Sequence, residues 1–126
     1  MKNSEIVAGY MGLLNLVEKK EKYPVKFSFA ITKNLKLLEQ LNKDFETERN
    51  RLLDIYNVKD ETGEPTYKTT GKIDIVPEIE ENWKKDVQEL LNIEVEVKIH
   101  TVTLADLEGV NLTAEDMFAC EFMIME

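Results

Sequence analysis

The chain has 126 residues, 43% of them hydrophobic, and this length is enough for one domain whose core needs no disulfide or metal. Its 25 acidic and 16 basic residues give a net charge of −9, and no Lys or Arg follows Lys98. Because binding to nucleic-acid phosphates requires cationic side chains, we expect no direct nucleic-acid binding by this acidic C-terminal part. We also expect neither secretion nor a membrane partner, since no apolar run has the form of a signal peptide or a membrane span.

Charge is distributed unevenly along the chain. Residues 1–42 carry seven basic and four acidic side chains, whereas residues 43–126 carry nine basic and twenty-one acidic ones. An acidic surface suits a basic partner, although such charge runs more often only keep a protein soluble. Cys120 is the only cysteine, which excludes an internal disulfide and favours a reducing, cytoplasmic location. Its apolar neighbours predict a small buried side chain rather than a reactive thiol.

The first predicted element is a helix from about Ser4 to Lys19, with Ser4 as its N-cap. Its buried face is predicted from apolar residues at helical spacing: Ile6, Tyr10, Leu13 and Val17. Gly9 and Gly12 either let another helix approach closely or simply lower the helix propensity. Pro24 then separates this helix from the next.

The longest predicted element is a helix from Ala30 to Tyr56, about 40 Å long at 1.5 Å per residue and starting as early as Val25 to Ser28. An apolar stripe at alternating three- and four-residue steps supports it: Ile31, Leu35, Leu38, Phe45, Leu52 and Tyr56. Asn42 and Arg49 occupy two positions of the same stripe. They either select a register or partner, or mark where the helix turns partly into water.

Two segments after this helix predict β structure. Asp60 to Pro65 is a dense turn signal, and Tyr67 to Val76 follows as one or two short strands. Ile93 to Thr103 is the clearest strand, because apolar residues at 93, 95, 97 and 99 alternate with polar ones. Such alternation predicts an antiparallel sheet with one covered face and one wet face.

Two further helices are predicted around that strand. Pro77 begins one of them, with a buried stripe formed by Ile79, Trp83, Val87 and Leu90. After an irregular turn from Leu104 to Asn111, Thr113 starts the last one, with Asp116 in a shortened capping box. Its apolar residues must dock internally or on a partner: Met117, Phe118, Phe122, Met123 and Met125. The predicted fold class is α+β, a long helical hairpin with a short antiparallel sheet and a C-terminal helix, in one domain over residues 1–126.

The sequence contains few residues that could form a catalytic or metal-binding site. His100 is the only histidine, so paired-histidine metal sites are excluded, and its place on the polar side of a strand predicts a solvated residue. Two carboxylate clusters, Glu78 with Glu81 and Asp86 at helical surface spacing and Glu94 with Glu96 on one side of a strand, could bind a divalent cation weakly. The acidic C-terminal third lacks the basic residues that a catalytic magnesium site usually needs. Asp60 to Glu64 resembles a calcium loop only faintly and predicts an ordinary turn. We therefore expect no enzyme activity, no cofactor and no metal.

One pattern extends over roughly Pro24 to Val97. It consists of Ala30-Ile31-x-Lys33-Asn34-Leu35-x-x-Leu38, Glu46-x-Glu48-Arg49-x-x-Leu52-Leu53, Lys59-Asp60-Glu61-x-Gly63-x-Pro65 and Glu89-Leu90-Leu91-Asn92. The pattern resembles a family of small uncharacterised proteins of phages and prophages of Gram-positive bacteria; residues 101–126 match it poorly. The resemblance implies a small accessory viral protein in the cytoplasm of a bacterial host cell that acts by binding, with no catalytic residues to transfer.

The leading functional hypothesis is a non-enzymatic binding protein that inhibits a host defence or nucleic-acid-handling complex by occupying its basic surface. The predicted partner-binding residues are acidic: Glu94, Glu96, Asp106, Glu108, Glu115 and Asp116. A second hypothesis is a virion tail accessory or assembly protein that forms homo-oligomers. A third is a sponge for a small signalling nucleotide, with cationic and aromatic groups supplied by Tyr67, Lys68, Lys72 and Trp83.

Overall fold

The computed structural model describes residues 1–59, 61–63, 66, 74, 75 and 77–125, with the side chain of residue 78 left aside. The helices of this part are α1 (Asn3–Glu18), α2 (Val25–Tyr56), α3 (Glu80–Asn92) and α4 (Ala114–Cys120). The strands are β1 (Val102–Thr103) and β2 (Ile124–Met125). Short 3-10 turns occupy Pro77–Ile79, Leu104–Leu107 and Glu121–Met123.

The predicted fold class is wrong, because the chain is mostly helical and its small sheet is parallel. Strands β1 and β2 pair Val102 with Ile124 and Thr103 with Met125. Between described residues, the structure shows antiparallel pairing as isolated bridges, such as Lys2 with Glu94 and Asn57 with Ile75. Two residues per strand provide too few ladder hydrogen bonds for the sheet to organise the fold.

The segment predicted as the main strand, Ile93 to Thr103, alternates in burial but joins a sheet only at β1. Its apolar side chains from residue 95 to 99 are partly buried against the core, while the polar ones between them are exposed. The Met1 amine donates to the Val95 carbonyl at 2.9 Å, and Val95 N–H donates to the Met1 carbonyl at 2.7 Å. Farther along this segment, the side chain of Asn34 on α2 makes the backbone hydrogen bonds that a neighbouring strand would otherwise make. Its amide donates to the His100 carbonyl at 2.9 Å and accepts from the His100 N–H at 2.7 Å.

The chain forms two compact units: residues 1–43 with 94–126, called unit 1, and residues 44–93, called unit 2. Helix α2 contributes its first part to unit 1 and the remainder to unit 2. The prediction of one domain over residues 1–126 stays a prediction.

Unit 1 has a core of fully buried apolar side chains. The largest are Ile6, Leu13, Leu16, Phe27, Leu38 and Met123. The predicted helix α1 is confirmed, but its buried face is partly wrong: Leu16 is buried where Val17 was expected, and Val17 is half-exposed. Its predicted cap is wrong too, since α1 begins before Ser4 and the Glu5 carboxylate accepts the Lys2 N–H at 2.8 Å.

Unit 2 combines the end of α2 with helix α3. Tyr56 on α2 packs its ring edge-on to Trp83 of α3, with the centroids 6.0 Å apart, and donates its hydroxyl proton to Asp86. Val58 N–H donates to the Asp74 carbonyl at 2.9 Å, and Asn57 bridges Ile75, which places a short backbone pairing beside the helix end. Helix α3 is confirmed, but its predicted start is wrong by three residues: Pro77 begins a 3-10 turn, Pro77–Ile79, and α3 itself begins at Glu80. Most of the predicted Tyr67 to Val76 strands and part of the Asp60 to Pro65 turn lie outside the described residues.

Candidate interaction surface

Helices α1 and α4 approach each other so closely that one position requires glycine. A Cβ added at Gly12 would lie 2.8 Å from the Ala119 Cβ and 3.1 Å from its Cα. Backbone atoms cannot yield as a flexible side chain can, so glycine at 12 and alanine at 119 set the helix separation. The close approach offered as one interpretation of Gly12 is therefore confirmed.

An ion pair and a cap hold the start of α4. The Thr113 hydroxyl accepts the Asp116 N–H, and the Asp116 carboxylate accepts the Thr113 N–H, both at 3.1 Å, so the predicted capping box is confirmed. The ammonium of Lys19 lies 2.5 Å from the other Asp116 oxygen. This bond, opposed by burial and supported by Thr113, lowers the pKa of the Asp116 carboxyl below its usual range. The same bond raises the pKa of Lys19.

Clefts flank the contact between Gly12 and Ala119. One of about 450 Å³ lies toward the start of α1, and its walls include Glu5, Ala8, Phe118 and Glu121. Another of about 320 Å³ lies toward the end of α1, between Glu18 and Glu115 and beside the ion pair of Lys19. We call the residues that line these two clefts the α1–α4 face.

The α1–α4 face has one strongly exposed aromatic side chain. Phe118 is 78% exposed, and besides the first cleft it lines a third one, of about 420 Å³, together with Ala114 and Met117. The same helix buries Cys120 completely, and this burial raises the pKa of its thiol, as expected for an inert side chain. The predicted apolar run therefore divides: Met123 docks in the core, whereas Phe118 remains exposed to solvent.

The rim of the α1–α4 face is acidic. Glu5 and Glu121 border one cleft, Glu18 and Glu115 the other. Within the described part of the chain, none of these four carboxylates belongs to an ion pair. The cationic groups that line the clefts are already paired, the Lys19 ammonium with Asp116 and the Met1 amine with Glu94 at 3.4 Å. The face therefore combines carboxylates outside ion pairs with the exposed Phe118 ring at its first cleft.

The six acidic residues predicted to bind a partner have different surroundings. Asp116 is buried, and Asp106 caps the turn at Leu104–Leu107 by accepting the Thr103 N–H at 3.0 Å. This backbone bond lowers the pKa of Asp106, with a contribution from Lys26 at 3.8 Å. Glu94 pairs with the Met1 amine. The other three are exposed and, among the residues that the structure describes, have no ion-pair partner: Glu96, Glu108 and Glu115.

Sequence reasoning missed Glu5, Glu18 and Glu121 as members of an acidic surface. Their common feature is position: the first two lie on the side of α1 that carries Gly12, and the third follows Phe118 by three residues. A glycine that permits close helix packing also fixes which neighbouring positions border the resulting groove. This signal was present in the sequence.

The remaining candidates show no assembled chemistry. His100 is exposed, and its ring packs edge-on against Phe29 with the centroids 5.3 Å apart. Across the described residues, no cluster of three or more His, Cys, Asp or Glu side chains suits a metal ion. Trp83 is partly buried against Tyr56, and the other proposed nucleotide-binding residues, Tyr67, Lys68 and Lys72, lie outside the described part. On α2, Asn42 is buried and Arg49 is exposed, so the stripe turns into water at the second position.

Comparison with known proteins provides no relative. No protein-family model matches the chain, and neither a curated protein nor a solved structure is significantly similar to it. Among the described residues, none of the helices combines the length and apolar character that crossing a bilayer requires.

Proposed function

We propose that this chain is a non-catalytic binding protein that occupies a basic surface of a macromolecular complex and so excludes the nucleic acid that this surface would hold. The observation that carries the proposal is the set of exposed carboxylates without an ion-pair partner in the described part of the chain, Glu96, Glu108 and Glu115. No cationic side chain follows Lys98 to neutralise them. Steering by such a field accelerates association with an oppositely charged groove.

Asp106 and Asp116 have a structural role in this proposal. Each carboxylate accepts a backbone N–H at the start of a helical turn and faces a lysine, so its charge is already engaged. Replacing either residue alters the fold together with the surface charge. A test of the acidic surface must therefore leave both residues in place.

Oligolysine is a suitable probe of the proposed surface, measured by fluorescence anisotropy at several salt concentrations. Each exposed ion pair contributes up to about 1 kcal/mol, so Glu96→Gln, Glu108→Gln and Glu115→Gln combined should weaken binding roughly tenfold. A matched control with equal charge change replaces exposed glutamates of unit 2: Glu46→Gln, Glu81→Gln and Glu89→Gln. Equal weakening by both triple variants, or affinity that does not change with salt, would contradict the proposal.

The partner itself can be recovered from a bacterial lysate passed over the immobilised chain. Proteins retained at low salt and released at high salt are the expected class, because screening weakens contacts between exposed charges. Each recovered complex is then assayed for nucleic-acid binding with and without the chain. Loss of nucleic-acid binding on addition of the chain supports the exclusion mechanism, and undiminished binding contradicts it. Phage origin, virion assembly and nucleotide capture stay predictions.

A further inference from the structure

We infer that the α1–α4 face is a docking groove for a basic amphipathic helix of the partner protein. This inference rests on the proposed function and deepens it, because it names a binding groove that shares Glu115 with the proposed acidic surface, and the chemistry of its occupant. The two clefts of the face lie on either side of the contact between Gly12 and Ala119, one after the other along α1.

The dimensions of the face suit a helix. Glu5 and Glu18, at the two ends, are thirteen residues apart on α1, which corresponds to about 20 Å along a helix axis. A ligand helix of three to four turns has the same length. Grooves between packed helices commonly accept a third helix, whose apolar residues at i, i+3, i+4 and i+7 contact the groove floor.

The apolar part of the face provides an anchor. Phe118 is 78% exposed, and it forms a wall of the cleft beside Ala8 and of the cleft beside Met117. Aromatic side chains at the centre of an interface account for a large part of binding energy, and methionine adapts to varied partner side chains. An apolar side chain of a ligand in the first cleft would cover the part of Phe118 that lines it.

Charge complementarity identifies the occupant as basic. Carboxylates border both clefts, Glu5 and Glu121 at one and Glu18 and Glu115 at the other. Lysine or arginine on the flanks of the ligand helix would lie against this rim. A second copy of this chain that docked through the same face would instead bring four carboxylates against four carboxylates, which disfavours self-association there.

The test uses labelled peptides built from lysine and leucine. One peptide has leucines at helical i, i+3, i+4 and i+7 spacing, a second has the same composition with leucines spread around the helix, and the third is oligolysine. We expect the amphipathic peptide to bind at least about tenfold more tightly than the other two, since only its leucines converge on one side. Equal affinity for all three would overturn the groove while leaving charge-driven binding in place.

Variants then place the peptide on the protein. Phe118→Ala should weaken the amphipathic peptide roughly thirtyfold and leave oligolysine unchanged, whereas Phe29→Ala, at a half-exposed phenylalanine of α2, should change neither. Combined Glu18→Gln and Glu121→Gln, one carboxylate at each cleft, should weaken it several-fold at low salt, with Glu46→Gln and Glu89→Gln as the control of equal charge. An unchanged far-ultraviolet circular dichroism spectrum checks the fold.

Each other outcome has a defined meaning. If Phe118→Ala and Phe29→Ala have the same effect, the groove is wrong. If oligolysine fails to bind but the amphipathic peptide still binds through Phe118, the acidic-surface function fails and the groove remains. If sedimentation shows that the chain dimerises and Phe118→Glu abolishes the dimer, the occupant is a second copy and the inference is overturned.

Discussion

The described parts of units 1 and 2 differ in how completely they bury apolar side chains. In unit 1, Leu13, Phe27 and Met123 are fully buried within one connected cluster. In the described part of unit 2, the least exposed apolar side chains retain some contact with water: Ile75 at 7%, Phe45 at 8% and Leu90 at 9%. Because apolar burial provides most of the free energy of folding, unit 1 should be the more stable and unit 2 should open first.

The sequence explains this difference through charge. Residues 44–93 contain seven basic and thirteen acidic side chains, a net charge of −6 in fifty positions. Residues 46–51 of α2 are all exposed, so more than one turn of this helix has no buried face. Unit 1 draws its core from both ends of the chain, whereas unit 2 is built from one continuous segment. Contacts between distant segments thus coincide with the better core.

The largest expected effect comes from one substitution made in both units. Phe27→Ala removes a fully buried ring of unit 1 and should lower the free energy of unfolding by about 4 kcal/mol. Phe45→Ala lies on the same helix in unit 2 and should cost about 2 kcal/mol, because its site can be reached by water. Urea unfolding measures both values. Equal costs would contradict the difference between the two cores.

A buried amide provides the next test. Asn34→Leu leaves the N–H and carbonyl of His100 without the Asn34 side chain that binds both. Each buried backbone group left unpaired costs about 1–3 kcal/mol, so we expect a loss of about 3 kcal/mol. Asn50→Leu is the control, since Asn50 is exposed on the same helix. Hydrogen exchange at the His100 amide should accelerate in the first variant alone; unchanged exchange there would contradict the role assigned to Asn34.

A smaller effect on stability is expected at the contact between helices α1 and α4 in unit 1. Gly12→Ala gains up to about 1 kcal/mol of helix propensity but introduces an overlap with Ala119 that costs about 1–3 kcal/mol. We expect a net loss of about 1 kcal/mol. At Gly9 the added Cβ would lie 3.3 Å from the Phe122 ring and 3.4 Å from a Leu38 methyl group, contacts that shifts of a few tenths of an ångström relieve, so the gain in helix propensity should make Gly9→Ala near neutral. Thermal unfolding of both variants measures the difference, and a Gly12→Ala protein as stable as Gly9→Ala would refute the close packing.

Local patterns predicted the helices well and the sheet poorly. The long helix and the cap at Thr113 depend on residues within a few positions of each other, and both are confirmed. The alternation from Ile93 onward correctly indicated two unlike faces, but alternation says nothing about the partner of the backbone. That partner includes Asn34, 66 residues away on a helix, which no local signal identifies.

The same limit applies to the candidate surface. Asp106 and Asp116 each follow a threonine by three residues, and this local spacing predicts a cap as readily as a binding carboxylate. The α1–α4 face combines Glu5 with Glu121 through tertiary packing between the two ends of the chain. In the sequence, only Gly9 and Gly12 indicated that another helix could approach α1 closely.

The smallest expected effects concern the pH dependence of stability, which should differ between the two units. In unit 1 the lowered pKa of Asp116 means that its ionised form stabilises the fold; this contribution is complete above the ordinary value of 3.8 and is lost as pH falls through the lower folded-state pKa. In unit 2 the hydrogen bond to Asp86 raises the pKa of Tyr56, so the protonated hydroxyl stabilises the fold below the ordinary value of 10.0. This contribution to stability is lost as pH rises through the higher folded-state pKa.

Asp116→Asn should weaken the dependence of stability on pH in the acid range, and Tyr56→Phe should weaken it in the alkaline range. Methyl NMR of Met123 reports on unit 1, and Trp83 fluorescence, the signal of the single tryptophan, reports on unit 2. An acid transition that Asp116→Asn leaves unchanged, or an alkaline one that survives in Tyr56→Phe, would show that other groups control the pH response of that unit.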